Sequence, residues 1–224
     1  MKTESVLYMK SLKEQVYEYL REQMREQKLQ AGSVINMDAT SRKLGISKTP
    51  LRDALIQLEM EGFVSILPRK GIYVNGLTIE EIKDFYQVIG ALESSALAIG
   101  FGHMKAPHIE KMKKLIQEMQ TAIDKSNFLV FNKKNLAFHD VYIDLSGNNT
   151  LKQVVENLKK RLYDFQSQSL WVKEWELSSM TEHQQLVDAL EAGNLKEAQQ
   201  VIQDIHWSFA VQEKFIRKYY FNPG

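Results

Sequence analysis

The sequence predicts a mostly α-helical protein of two domains: a helical domain with one short hairpin over residues 1–76, and an all-α antiparallel bundle over residues 77–224. Apolar residues recur at helical spacing through most of the chain. Strand-like runs occur only beside the turn at residues 68–71, and no strand signal follows it. Thr78 and Glu81 then form a capping box, so a new helix is expected to begin there.

Three helices are expected before the hairpin. The first covers about residues 8–28. The next two flank residues 44–47, where Gly45 tolerates the left-handed conformation that follows a helix. Ser47 is expected to cap the following helix, its hydroxyl accepting a hydrogen bond from an amide of the first turn. Pro50 falls in that turn, where its missing N–H costs nothing.

The third helix has one apolar and one polar face. Leu51 and Leu55 belong to an apolar stripe at helical spacing, which predicts a buried face. The opposite face carries Lys48, Thr49 and Arg52, whose donors can reach phosphates or base edges. We therefore expect these three side chains to contact DNA.

A basic-tipped hairpin is expected after the third helix. Its strands are predicted at residues 63–67 and 72–74, on either side of a turn that contains Arg69, Lys70 and Gly71. Two helices with a tight turn between them, followed by such a hairpin, make a winged helix-turn-helix. We expect the three turn residues to be the DNA contacts of the wing.

The composition of the chain excludes several kinds of site and of protein. The 224 residues are 44% hydrophobic and 25% charged, as in ordinary globular proteins, and contain no cysteine, which excludes disulfides and thiolate metal sites. No apolar run approaches 18 residues and the N-terminus lacks a secretory pattern, so a cytoplasmic protein without a membrane segment is expected. Residues 1–76 hold 12 Lys or Arg against 9 Asp or Glu, a mild basic excess in a chain of net charge +1.

Three segments of the first domain resemble the signature of the GntR family, which reads LGVSRTPVREAL, LExEGLV and PxRGxxV. Here they read LGISKTPLRDAL at residues 44–55, LEMEGFV at residues 58–64 and PRKGIYV at residues 68–74. Lys48 stands where the family usually has Arg, which exchanges bidentate guanine recognition for a point charge. The resemblance implies a transcriptional regulator that binds a pseudo-palindromic DNA operator as a homodimer.

The second domain is expected to contain six antiparallel helices, with ligand sites on facing helices. They are predicted at about residues 79–103, 108–125, 127–146, 149–171, 179–192 and 195–219. This half resembles the FCD domain of the FadR-like branch of the family. The resemblance rests on the pairs Leu92-Glu93, Phe138-His139 and Glu182-His183, on the segment 146–148, and on His206.

Four residues of this half are candidate metal ligands. Asn135 and His139 are four residues apart and share a helix face, while His183 and His206 lie on two other predicted helices. Three imidazoles without a thiolate suit a divalent ion, with zinc preferred over nickel. The resemblance implies a site of one Asp and three His, in which Asn135 takes the place of the Asp and brings no charge.

The resemblance also implies a small-molecule effector, an organic acid held by its carboxylate. FCD domains commonly supply an arginine for it in a YExR-like pattern, but Ile89 stands at that position. Arg161, on the fourth helix of this domain, is the candidate substitute for effector binding.

These residues are compatible with three classes of function to different degrees. The leading one is a ligand-responsive regulator, acting as a repressor. The alternative is a constitutive DNA-binding regulator whose metal is purely structural or missing. A metalloenzyme is disfavoured because no HExxH pattern is present and Glu182 lies about 100° around the helix from His183. The sequence therefore predicts no enzyme.

Overall fold

The computed structural model describes residues 10–164 and 172–221, which divide into two compact units. The described residues up to Leu77, with Tyr163 and Asp164, form the first unit. Residues 78–162 and 172–221 form the second. Among the described residues, every helix is too short or too polar to cross a membrane.

The first unit is a winged helix-turn-helix, as predicted. Its elements are α1 (Leu12–Arg25), β1 (Val34–Ile35), α2 (Met37–Leu44), α3 (Lys48–Met60), β2 (Val64–Leu67) and β3 (Gly71–Val74). The strands form an antiparallel sheet in the order β1-β3-β2. The two-residue strand β1 was not predicted, because a pair of residues carries no alternation that could be detected.

Local signals explain most of the first unit. Ser11 and Glu14 form a capping box that starts α1, and Gly45 adopts the expected left-handed conformation with φ of 65°. Ser47 is the N-cap of α3, but the prediction that its hydroxyl caps the helix is wrong, since that hydroxyl makes no capping bond. Leu51 and Leu55 are fully buried in the core. The start of the predicted first helix, residues 8–9, lies outside the described residues.

The second unit is all-α, which confirms the predicted fold class. Its helices are α4 (Ile79–Gly100), α5 (Ala106–Asp124), α6 (Phe128–Leu145), α7 (Asn149–Asp164), α8 (Lys173–Glu191), α9 (Leu195–Gln200) and α10 (Phe209–Ile216). The last two residues of α7 are counted with the first unit. A 3-10 turn spans Phe101–His103, and π-helical segments span Val201–His206 and Arg217–Phe221. The end of the predicted fourth helix, residues 165–171, lies outside the described residues.

Two helices differ from the prediction. Helix α8 begins at Lys173, so His183 lies in its middle rather than near its start. The predicted helix over residues 195–219 is interrupted at Trp207 and Ser208, and just before the interruption the Trp207 amide donates to the Ile202 carbonyl five residues back, at 2.9 Å. Such π-type bonds widen the helix and are frequent at functional sites. The interruption lies next to His206.

Close packing of α4 against the π-helical segment depends on Gly90. A Cβ added at Gly90 would lie 2.9 Å from the Cβ of Trp207, nearer than such atoms pack. The absence of a side chain therefore lets Trp207 reach the interior beside α4. Tyr86, one turn earlier on α4, meets the Trp207 ring edge-on at a centroid distance of 5.1 Å.

Candidate metal centre and DNA-contact surface

Three histidines from α6, α8 and the π-helical segment converge inside the second unit. One ring nitrogen each of His139, His183 and His206 lies within 4.8 Å of the others. The Nε2 atoms of His139 and His183 are 3.4 Å apart. Two imidazoles at the usual zinc distance of about 2.0–2.1 Å in a tetrahedral site have nitrogens roughly 3.4 Å apart. The arrangement therefore fits a divalent ion.

Carboxylates fix two of the three imidazole rings. Nδ1 of His139 lies 2.9 Å from Oε2 of Glu93, and Nδ1 of His206 lies 2.7 Å from Oε2 of Glu182. Since an ionised carboxylate only accepts hydrogen bonds, each Nδ1 carries the proton. The lone pair of each Nε2 is then left for a metal, which is the usual carboxylate–histidine arrangement of metal sites.

The third ring, that of His183, is fixed differently. Its side chain is 1% exposed and packs on Phe138 with ring centroids 4.3 Å apart. Its Nδ1 is buried and has no hydrogen-bond partner among the described residues. Packing on an aromatic ring therefore takes the place of a carboxylate in orienting this imidazole.

Burial keeps two of the imidazoles neutral. It lowers the pKa of His139 to about 3, an effect that the charge of Glu93 only partly offsets. Burial also holds the pKa of His183 well below its ordinary value, and the neighbouring His206 and His139 add to the effect. Neutral imidazole is the form that binds metals.

Glu93 is the polar centre of this interior. Its Oε2 accepts hydrogen bonds from the Tyr142 hydroxyl at 2.5 Å and from Nε1 of Trp207 at 2.9 Å, in addition to the His139 contact. Nζ of Lys159 lies 2.5 Å from its Oε1, and the two side chains are 5% and 0% exposed. Burial raises the pKa of Glu93, but His139 and Lys159 outweigh it and hold that pKa well below the ordinary range. Glu93 is therefore an ionised carboxylate at neutral pH.

Glu182 is bound on both of its oxygens. While Oε2 faces His206, Oε1 accepts hydrogen bonds from Nε2 of Gln212 at 3.0 Å and from the Ser178 hydroxyl at 3.2 Å. Burial raises the pKa of Glu182, but these partners outweigh it and lower the pKa below its ordinary value. The carboxylate thus supports His206.

The remaining predicted residues of this domain are buried. Asn135 lies on α6 one turn before His139 and is 6% exposed. Arg161 on α7 is 4% exposed and pairs with Oε1 of Glu81 at 3.5 Å, and burial lowers its pKa. Lys159, two residues earlier, is the α7 cation that reaches Glu93.

Sequence reasoning missed the residues that support the histidines. Glu93 and Glu182 entered the sequence interpretation as parts of the family pattern, and Glu182 also as a carboxylate badly placed for catalysis, but neither was expected to bind a histidine. Lys159 and Trp207 were not singled out. A helical period places residues on a face, but it cannot say which carboxylate meets which imidazole across two helices.

The six predicted DNA contacts lie at two places in the first unit. Lys48, Thr49 and Arg52 are exposed along α3, outside its buried stripe of leucines, and Lys48 pairs with Asp38 of α2. Arg69 and Lys70 are exposed in the turn between β2 and β3, and Gly71 is the first residue of β3. This turn needs unusual backbone, with φ of 64° at Arg69 and 122° at Gly71.

Family models match both halves of the chain. The model described as bacterial regulatory proteins, gntR family, matches residues 12–74, and the model of the FCD domain matches residues 84–206. The second match alone covers more than half of the chain and contains all three histidines.

Curated relatives and solved structures point the same way. An uncharacterized HTH-type transcriptional regulator, YdhC of Bacillus subtilis (strain 168), is 24% identical over 66% of this chain and 67% of its own. The gluconate operon transcriptional repressor of the same strain is 23% identical, and the match covers 83% of this chain and 77% of the repressor. The solved structure of E. coli McbR/YncC matches with a TM-score of 0.69 and 20% identity, over 93% of this chain and 96% of that one. At such identity the structural match shows a shared fold.

Proposed function

This chain belongs to the GntR family of bacterial regulatory proteins, in the branch with an FCD domain, and we propose that it is a metal- and effector-responsive repressor. The family consists of DNA-binding transcriptional regulators and not of enzymes. Repression is supported by the relative that acts on the gluconate operon. As a homodimer in the cytoplasm, the protein would place one α3 in each half of a pseudo-palindromic operator.

The proposed metal site consists of His139, His183 and His206, with Asn135 as a fourth ligand. The observation that carries this proposal is the pair of carboxylates that present Nε2 of His139 and His206 toward a common point. Nitrogen ligands favour zinc, with nickel second. A divalent ion bound there would supply a Lewis-acidic position that accepts a carboxylate oxygen.

Charge balance supports an anionic effector. In the part of the chain that the structure describes, the charged side chains that bond with the histidine cluster are Glu93, Glu182 and Lys159, which sum to −1. A divalent ion held by neutral ligands brings this sum to +1, and a small carboxylate would neutralise it. Lys159 is the α7 cation whose charge acts on His139. We therefore propose Lys159 as the first protein contact of the effector's carboxylate, with Arg161 as the second candidate.

DNA binding tests the first half of the proposal. Duplexes selected from a random 30-base-pair library with the zinc-loaded protein are expected to converge on a pseudo-palindrome. Arg52→Ala should weaken binding to the selected duplex roughly 5–150-fold, as expected for the loss of a base contact worth about 1–3 kcal/mol. Lys70→Ala should weaken binding to all sequences alike and lower the salt slope by about 1. Fluorescence anisotropy measures both.

The control for this series is Arg217→Ala, which removes an exposed arginine from the second unit. An Arg52→Ala variant that binds like Arg217→Ala would contradict the assignment of α3.

A second experiment distinguishes a ligand-responsive regulator from a constitutive DNA-binding protein. Acetate, malate and citrate are titrated into the complex of the zinc-loaded protein with the selected duplex. Affinity that ignores all three supports the constitutive alternative, and a shift with one of them supports an effector that changes the population of DNA-binding conformations.

Asn135→Asp tests the fourth ligand. A carboxylate at this position would add a negative charge beside the ion, so zinc affinity should rise at least about tenfold, as a charge interaction of several kcal/mol at about 4 Å allows. Competition with a chromophoric chelator measures the change. Asn157→Asp adds the same group to α7 and is expected to leave zinc affinity unchanged. Unchanged affinity in the Asn135→Asp variant as well would remove Asn135 from the ligand set.

A further inference from the structure

Gln212 connects the histidine cluster to the C-terminal helix α10. Its side chain is 1% exposed and makes bonds at both ends of its amide. Nε2 donates to Oε1 of Glu182 at 3.0 Å and to the Ile205 carbonyl at 3.2 Å. Oε1 accepts from Nε1 of Trp175 at 2.9 Å. A continuous hydrogen-bonded series therefore runs from His206 through Glu182 and Gln212 to Trp175.

The polarity of this series admits one orientation of the amide. The indole of Trp175 can only donate, and the carboxylate of Glu182 can only accept. Rotating the amide of Gln212 by 180° would set its oxygen against a carboxylate and its NH₂ against an N–H. Each link is thus determined by its neighbours, which is the condition under which such networks respond as a unit.

Trp175 carries the series into a separate apolar cluster. Its ring stacks on Phe215 with an interplanar angle of 11° and a centroid distance of 5.9 Å, and it meets Tyr219 edge-on at 5.7 Å. Val172 and Tyr220 belong to the same cluster. The first turn of α8 is therefore packed against α10 and the π-helical segment after it, at the end of the series remote from His206.

We propose that Gln212 is a positioning residue for His206, and that the series His206–Glu182–Gln212–Trp175 makes the packing of α10 depend on metal occupancy. This inference rests on the proposed metal site. When Nε2 of His206 is ligated, its Nδ1–H becomes a stronger donor to Glu182. Glu182 then accepts less strongly from Gln212, and the change reaches Trp175 in the first turn of α8, where it packs against α10.

The test uses the full chain labelled with 5-fluorotryptophan, whose three fluorine resonances are assigned with single Trp→Phe variants. Titration with zinc chloride is expected to shift the Trp175 resonance in the parent protein. Gln212→Met fills a similar volume without hydrogen bonds. In this variant the shift should be lost at saturating zinc, and zinc affinity should fall about 10–100-fold, as for other outer-sphere partners.

Gln199→Met is the matched control. Gln199 is also an inward-facing amide of this unit, but it donates to the backbone and hydroxyl oxygens of Ser94, outside the series. Its substitution should preserve both zinc affinity and the Trp175 shift. A Trp175 shift that survives in Gln212→Met, in a protein that binds zinc, would overturn the coupling and leave the metal site standing.

A parent protein that binds no zinc would instead overturn the proposed metal site. The series is then tested in the metal-free protein with a double-mutant cycle of His206→Ala and Gln212→Met in urea unfolding. If the two residues act through Glu182, their combined effect on the unfolding equilibrium constant should differ by more than about twofold from the product of the single effects. Effects that simply multiply would overturn the coupling.

Discussion

Replacing Glu93 by leucine is expected to lower the free energy of unfolding of the metal-free protein by about 3–5 kcal/mol, the usual cost of leaving a buried charge without its partner. The substitution strands the ammonium of Lys159, which is 5% exposed. It also removes the acceptor of Tyr142 and of Trp207. Urea unfolding in the presence of a chelator measures the loss without a contribution from bound metal.

Two further variants serve as controls for the Glu93→Leu measurement. Glu118→Leu breaks an ion pair with Lys134 whose side chains are each 33% exposed, and it should cost no more than about 1 kcal/mol. The double variant Glu93→Leu/Lys159→Met removes both buried charges and should recover much of the lost stability. If Glu93→Leu proves as mild as Glu118→Leu, Glu93 is not the ionised centre of this interior.

The winged helix-turn-helix could be predicted from the sequence because its determinants are local. Gly45 fixes the turn between α2 and α3. The period of α3 places Arg52 about 100° around the helix from Leu51, at the edge of the buried stripe, where it is exposed. Arg69 and Lys70 lie at a turn that the flanking strand signals already mark. Each of these inferences needs only a few consecutive residues.

The interior of the second domain could be predicted only in part, because its determinants are not local. The three histidines were found through a family pattern, whereas their convergence depends on how α6 and α8 pack. The π-helical turn before Trp207 has no sequence signal of its own, and it shifts the face that His206 presents. The pairing of Glu93 with Lys159, 66 positions apart in the sequence, likewise exists only once the helices are assembled.

Removing two histidines of the cluster is expected to abolish the metal content of the purified protein. Untagged protein purified without chelators should contain about one zinc or nickel per chain, and the His139→Ala/His183→Ala variant should contain none. The ring nitrogens of His139, His183 and His206 lie within 4.8 Å of one another, so the variant would leave a single imidazole of this cluster, too few to hold an ion. Elemental analysis of both proteins measures this directly.

The chain supplies its own control, since two of its five histidines lie outside the cluster. His103→Ala/His108→Ala removes the same number of imidazoles from the 3-10 turn and the first turn of α5, and it should keep the full metal content. His206→Ala, at a less buried position, serves if the double variant of the cluster fails to fold. If the parent protein stays metal-free after incubation with zinc, the proposed metal site is wrong. The hydrogen bonds of Glu93 and Glu182 to the imidazoles would then serve only the packing of the domain. The second domain would then act as an effector pocket or a dimerisation module without an ion.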